Sequence, residues 1–239
     1  MKIEVYCLAN NEELLMPYFM RHYNQFAKVI LLESCSKDRT IEIAESMGAE
    51  VRSFDKPDEI NDLWFTELKN TVWKDSTADW VMIVDADEFI YHPDIVSLLE
   101  QTEYTALLPA FYNMYSDVFP TAEGQIYDEV KYGRRWGGEA NIYGKINIIK
   151  LPDITDTNYS PGCHRANLRG NVNIGVTSDI KTLHMRNLSR EFTVNRVMSH
   201  ARRMGEYNKK MGWGAHVFKS KEEIIAQMEE EMRDLIKVL

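Results

Sequence analysis

Cysteine is scarce in this chain of 239 residues. Cys7, Cys35 and Cys163 are odd in number, far apart and without a Cys-x-x-Cys pair. That excludes a disulfide framework and a zinc knuckle, and it is the usage of free thiols in a reducing compartment. Long apolar runs are also missing: none approaches the ~20 residues that span a bilayer, so no integral membrane segment is expected. The chain opens into the strand-like Ile3-Glu4-Val5-Tyr6-Cys7-Leu8-Ala9. It has neither the basic segment nor the long apolar core of a signal peptide, and the expected location is the cytoplasm. No internal repeat, low-complexity tract, clear interdomain linker or named DNA-binding motif is found. A single compact domain with two halves, 1–110 and 111–239, is expected.

What is present is an ordinary soluble composition, 44% hydrophobic and 27% charged. The net charge of −9 conceals an asymmetry. Residues 1–130 hold 9 Lys/Arg against 25 Asp/Glu, residues 131–219 hold 16 against 6, and the last twenty hold 3 against 6. An acidic first half suits a cation and a basic second half suits an anionic partner, unless the two neutralise each other across their contact.

The first ~110 residues alternate strand and helix signals as βαβ units do. Strands are expected at Ile3–Ala9, Lys28–Glu33, Glu50–Phe54 and Trp80–Val84, with helices from Asn10 to about His22, Arg39–Met47 and Leu63–Lys74. Beyond Tyr104 the pattern is irregular. Strands are expected at Tyr104–Pro109, Lys145–Lys150 and Lys181–Arg186, around an aromatic, glycine-containing stretch. Helices are expected at Phe192–Tyr207 and Lys221–Leu239. The terminal helix carries the stripe Ile224, Ile225, Met228, Met232, Leu235 and Ile236, which reads as packed core or a homodimer contact.

The most informative stretch is Trp80-Val81-Met82-Ile83-Val84-Asp85-Ala86-Asp87-Glu88-Phe89. An apolar run of this kind reads as a strand buried on both faces, and it ends abruptly in three carboxylates. Open α/β sheets bind ligands at the carboxyl ends of such strands. Side chains two apart on a strand share a face, so Asp85 and Asp87 are expected to converge. Oxygen ligands beside open positions suit Mg²⁺ or Mn²⁺, which keep sites free for water and phosphate.

Four segments together resemble a nucleotide-sugar glycosyltransferase of the family 2 type. They are Asn11-Glu12-Glu13 after the first strand, Glu33-Ser34-Cys35-Ser36-Lys37-Asp38-Arg39-Thr40 after the second, Lys69-Asn70 followed by Asp85-Ala86-Asp87-Glu88, and His184-Met185-Arg186-Asn187-Leu188-Ser189-Arg190-Glu191-Phe192. The last is similar to a segment of a small bacterial and viral branch, which places the protein in a bacterium or a phage-infected host cell. The resemblance covers roughly residues 1–100 and returns near 184–196.

That resemblance implies the GT-A fold: a Rossmann-like, doubly wound, mostly parallel central sheet with helices on both faces and an irregular acceptor-side region. It implies a nucleoside diphosphate sugar donor held by Asn11, Glu12, Glu33, Ser36, Asp38, Asn70 and Asp85. It further implies Mn²⁺ or Mg²⁺ on Asp87, with Asp85 and His184 as further ligands. Glu33 departs from the family's usual Asp, which puts uridine recognition in question. Arg186, Arg190 and Arg196 are candidates to steady the leaving diphosphate. An inverting transfer of a hexosyl or pentosyl group needs a proton acceptor, for which Glu139, then His164, then Asp117 are the candidates. The acceptor is expected to be anionic: a surface glycan or lipid-linked saccharide, or a hydroxymethylated base in phage DNA. A metal-dependent phosphohydrolase and a non-catalytic nucleotide-sugar-binding module are the rival readings.

Overall fold

The computed structural model describes all residues except 55, 57, 122 and 137–143. The first half alternates as expected: β1 (Ile3–Ala9), α1 (Met16–Tyr23), β2 (Lys28–Glu33), α2 (Thr40–Ser46), β3 (Glu50–Ser53), α3 (Asp62–Thr71) and β4 (Trp80–Asp85). It continues with β5 (Glu88–Tyr91), α4 (Ile95–Gln101), β6 (Ala106–Ser116), α5 (Ile126–Glu129), β7 (Tyr132–Arg135) and β8 (Ile148–Lys150). A two-stranded ribbon, β9 (Ile154–Asp156) with β10 (Arg169–Gly170), precedes the long β11 (Ile174–Leu188). Then come α6 (Arg190–Arg203), α7 (Glu206–Met211), α8 (Lys221–Glu231) and β12 (Ile236–Lys237).

Among the described residues the main sheet runs β12-β7-β6-β8-β4-β1-β2-β3, with β11 on the other edge of β6 and β5 beyond it. The ladders β3-β2-β1-β4 and β6-β11 are parallel, and the shorter ones are antiparallel. β6 crosses residue 110, so both halves of the chain share one sheet. Each central strand feeds two cores by alternation. Val5, Cys7, Val29, Leu31, Met82 and Val84 pack on one face against Leu15, Phe19 and Tyr23 of the α1 side. Tyr6, Ile30, Leu32, Val81 and Ile83 pack on the other against Leu68 and Trp73 of the α3 side. This is the doubly wound α/β sheet with helices on both faces that the resemblance implies.

Four local expectations change. The first helix starts at Met16, not Asn10, with Pro17 in its first turn, because Asn10–Glu13 form a loop held by the next loop. Ser36 Oγ accepts the Asn11 N–H, Thr40 Oγ1 the Glu12 N–H and Asp38 Oδ2 the Glu13 N–H. Asn11 sits at φ +54°, a conformation its short polar side chain tolerates. The helix expected to reach Tyr207 breaks after Arg203, where Met204 leaves helical geometry and bridges to Ile60. Met198 on this helix is exposed.

The strand expected at Lys181–Arg186 is fifteen residues long and pairs with β6 and β5. The terminal helix stops at Glu231, and Ile236–Lys237 instead pair with β7. Gly133 permits that closure, since a Cβ there would meet Met114 Sδ at 2.7 Å and Val238 Cγ2 at 3.1 Å. Of the expected stripe, Ile224 and Met228 are buried and Ile236 is half exposed.

Two stability measurements test this packing. Leu31→Ala removes fully buried core volume and should cost about 2–5 kcal/mol in urea unfolding, whereas exposed Leu14→Ala should change stability by less than about 0.5 kcal/mol. Burial lowers the His22 imidazole to about 4, against the opposing pull of its hydrogen bond to the Ile90 carbonyl. Protons therefore favour the unfolded chain as pH falls from about 6.5 toward 4. Thermal melts of the wild type should drop more steeply across that window than those of His22→Gln.

Candidate active site

The carboxyl ends of β1, β2 and β4 open into a cavity of about 590 Å³, whose far wall comes from β6, β11 and α6. β4 stops at Asp85, so Asp87 reaches the cavity through the two-residue turn Ala86–Asp87, and strand alternation is not what brings the two acids together. The turn is pinned by the Met185 N–H, which donates to the Asp87 carbonyl at 2.7 Å.

Each acid has cationic partners. Lys69 Nζ donates to Asp85 Oδ1 at 2.5 Å and Lys145 Nζ to Asp85 Oδ2 at 2.8 Å. Lys145 also donates to Glu88 Oε1 at 2.6 Å, and Glu88 Oε2 accepts the Asp85 N–H at 3.2 Å. Lys69, Lys145 and Glu88 are buried, while Asp85 is about one-third exposed, at 32%. Burial disfavours the charged forms, but the charges win: Lys145 and Lys69 hold Asp85 below the usual carboxylate range, and Asp85 and Glu88 hold Lys145 well above the usual ammonium range. Asp85, expected as a donor-holding residue and metal ligand, has both oxygens taken by ammonium groups.

Asp87 is set differently. Its Oδ2 accepts from Arg196 Nη2 at 2.9 Å and lies 3.0 Å from His184 Nε2, and Arg196 Nη1 donates to Glu12 Oε2 at 2.6 Å. Burial again opposes charge on Asp87, and His184 with Arg196 outweighs it, holding the carboxyl well below its usual value. His184 lies opposite Glu88 on β5 and Asn113 on β6, and its Nδ1 donates to Asn113 Oδ1 at 2.7 Å. That bond orients the ring so that Nε2 faces Asp87, as an outer partner does for a ligating histidine.

Two adjacent ligands about 2.1 Å from an octahedral ion lie about 3.0 Å apart, which is the Asp87–His184 separation. Among the described residues no group of three or more His, Cys, Asp or Glu is placed to hold a metal. The donor set is thus one carboxylate and one imidazole, the partial shell that suits a small divalent ion completed by phosphate and water.

The other expected residues divide. Glu12, Arg186, Arg196 and His164 line the cavity. His164 packs against Trp136 with ring centroids 4.6 Å apart and planes tilted by 57°, and burial, reinforced by Lys145, lowers its imidazole to about 4. Asn11, Glu33, Ser36, Asp38 and Asn70 are absent from the cavity wall and organise its loops. Glu33 accepts the Ser36 N–H, and Asn70 Oδ1 accepts from Thr157 Oγ1 and the Tyr159 N–H, both at 2.8 Å. Asp117 lies exposed in the turn after β6, away from the cavity, because β6 runs on to Ser116 and carries it past the site. Arg190 is spent on a surface pair with Glu229 at 2.7 Å. Glu139 falls outside the described residues.

Sequence reasoning missed Lys69 and Lys145 as site residues, and also Asn113 and His200. The signal available was Lys69 beside the recognised Asn70; nothing local marks Lys145, whose partners are 57 and 60 residues away. His200 shares a helix face with Arg196 and Arg203 and is lowered to about 3 by burial and then by those arginines and Arg186.

The sequence profile of the family described as "Glycosyl transferase family 2" matches residues 10–164. No curated protein sequence matches the chain. Among solved structures, TarS of S. aureus is similar over 97% of this chain and 43% of its own, at 16% identity and a TM-score of 0.49. TarS 1-349 in complex with UDP is similar over 95% of this chain and 70% of its own, at 15% identity and a TM-score of 0.47. The glucosyl-3-phosphoglycerate synthase of Mycobacterium tuberculosis, in complex with Mn²⁺, UDP and glucosyl-3-phosphoglycerate, is similar over 46% of this chain and 44% of its own, at 21% identity and a TM-score of 0.36. The chain thus spans less than half the length of the first and third of these proteins. No helix among the described residues is long and apolar enough to cross a membrane.

The lysine–carboxylate cluster is directly testable. Lys145→Met strands two carboxylates, one of them buried, and should cost about 3–5 kcal/mol in urea unfolding. Adding Glu88→Gln to that variant should recover part of the loss, which a double-mutant cycle would read as coupling.

Proposed function

Because the chain belongs to glycosyl transferase family 2, we propose that it moves a sugar from a nucleoside diphosphate donor to an acceptor hydroxyl, using Mn²⁺ or Mg²⁺. The observation that carries this reading is the Asp87–His184 pair, spaced as adjacent ligands at the end of β4 inside a cavity walled by cations. Asp87 and His184 would hold the ion. When bound, it supplies Lewis-acid stabilisation of the departing diphosphate.

The remaining work falls to the chain's own groups. Lys69 and Lys145 are fixed by Asp85 and Glu88 before any donor arrives, so their positive charge faces the cavity without reorganisation. Arg196 bridges Glu12 and Asp87 and orients both; it helps hold Asp87 well below the usual carboxylate range, whereas burial pushes the Glu12 carboxyl up against it. Glu12 and Ser34, at the ends of β1 and β2, line the end of the cavity where the nucleoside would sit. Ser34 Oγ is buried without a partner among the described residues and would find one in the ligand.

For the acceptor proton, His164 is the candidate that the described residues bring to the cavity. Burial and Lys145 keep it neutral and able to accept, and a bound anionic donor would offset Lys145 and strengthen the base. Displacement by the acceptor hydroxyl on the face opposite the leaving group gives inversion. The acceptor is read as anionic from the excess of Lys/Arg in residues 131–219. A two-metal phosphohydrolase would need more ligands than the described residues provide.

Incubation with Mn²⁺ and a panel of UDP- and GDP-sugars should release nucleoside diphosphate slowly to water. Asp87→Ala should reduce that release by at least about 100-fold with the circular dichroism spectrum intact. Release at the wild-type rate would remove Asp87 and the metal pair from the mechanism, and release of inorganic phosphate would point to a hydrolase. For the base, His164→Gln should lower kcat about 100-fold or more and remove the acid limb of its pH profile. An unchanged profile, with the loss appearing in Glu139→Gln, would move the role to Glu139.

A further inference from the structure

Beside the main cavity lies an annex of about 50 Å³ between β11, α6 and α8, sharing with it Asn113, Arg186, Val197 and His216. On this scale a water needs roughly 10–15 Å³, so the annex takes a few waters or one tetrahedral anion, and neither a base nor a sugar ring.

Its charge is unusual for this molecule. The cavity's other arginines are matched by acids: Arg196 by Glu12 and Asp87, and Arg203 by Asp58 at 2.7 Å. The Arg186 guanidinium has no ion-pair or hydrogen-bond partner among the described residues, although it stands where both spaces meet. Lys219 is on the same wall, its Nζ donating to Gln227 Oε1 at 2.5 Å. Burial, then Arg186 and Lys219, push the His216 imidazole below its usual value, so these three groups crowd one another with positive potential. The acid in this wall, Glu231, accepts from neutral groups, Tyr115 at 2.6 Å and Gln227 at 2.8 Å, and keeps its charge, so Arg186 and Lys219 stand against one carboxylate and the wall stays net positive. An anion is the ligand this arrangement lacks.

Position on β11 bears on whose anion it is. Arg186 follows His184 by two positions on β11, across a register shift in its ladder with β6, and both line the cavity, so the two Cα atoms are at most ~7 Å apart. A donor diphosphate held at the Asp87–His184 pair would leave the annex one sugar ring away, on the acceptor side. We propose that the annex seats a phosphate group carried by the acceptor, held by Arg186 and Lys219, so that the acceptor is a phosphorylated sugar or polyol whose hydroxyl enters the main cavity. This rests on the transferase reading, and it turns a general expectation of an anionic acceptor into a phosphate at a named place. Arg186, expected to steady the donor, is thereby assigned to the acceptor.

The test is calorimetric titration of glycerol 3-phosphate, with glycerol as the neutral control, into protein saturated with UDP and Mn²⁺. The phosphate compound should bind and glycerol should not. Arg186→Gln should weaken binding at least about 10-fold, Lys219→Gln about 3-fold, and the wild-type affinity should fall between 50 and 300 mM NaCl. Equal affinity in wild type and both variants, equal binding of glycerol, or displacement of the probe by UDP would overturn the proposal, the last by assigning these cations to the donor. UDP with Mn²⁺ is titrated alone first. Failure there with retained probe binding removes the donor reading and leaves the annex, while the reverse removes the annex alone.

Discussion

Two lysines and two acids lie at the end of β4, and the geometry of the site depends on their mutual neutralisation. Lys145 bridges Asp85 and Glu88, and Lys69 takes the remaining oxygen of Asp85. Taking such charges out of water costs several kcal/mol per ion, which only close, multiply bonded geometry offsets. The arrangement therefore tolerates little displacement. It ties together α3, the end of β4, the start of β5 and the segment leading to β8. The cations that would face a donor diphosphate are in place because the acids beneath them are.

A second set of charges hangs from this one. Asp87 follows Asp85 by a single tight turn, and its partners arrive from the far end of the chain, His184 on β11 and Arg196 on α6. β11 is one of the elements that join the halves, since it pairs in parallel with β6 and antiparallel with β5. That double pairing sets His184 between Asn113 and Glu88 and carries Arg186 to the cavity's outer side. α6 then folds back and joins Asp87 to Glu12. The acidic first half and basic second half meet here, so part of the charge asymmetry is internal neutralisation and part, at Arg186 and Lys219, is left for a ligand.

Legibility in the sequence followed the range of the interaction. Trp80–Val84 was readable as a doubly buried strand because alternation leaves no polar face on it, and the β1–α1–β2 unit was readable for the same local reason. Asp85, Asp87 and His184 carry the motif, and all three line the cavity. The loop residues Ser36 and Asp38 carried the motif too, but in the structure their side chains hold backbone N–H groups of the neighbouring loop. A motif marks a residue without saying whether it faces the ligand or braces what does. Asp117 looked suitable by type alone, and the length of β6 removes it.

Local chemistry in the sequence determined the alternating α/β order, the two-faced burial of the central strands and the acids at the end of β4, because each depends on side-chain period and on neighbours a few positions away. Tertiary structure alone decided which cation meets which acid. Lys145 with Asp85 and Arg196 with Glu12 are separated by 60 and 184 residues. Pairings of that span are settled by sheet register and helix packing, which place charges in low-dielectric space where a mismatch is costly, and no pattern along the chain encodes them.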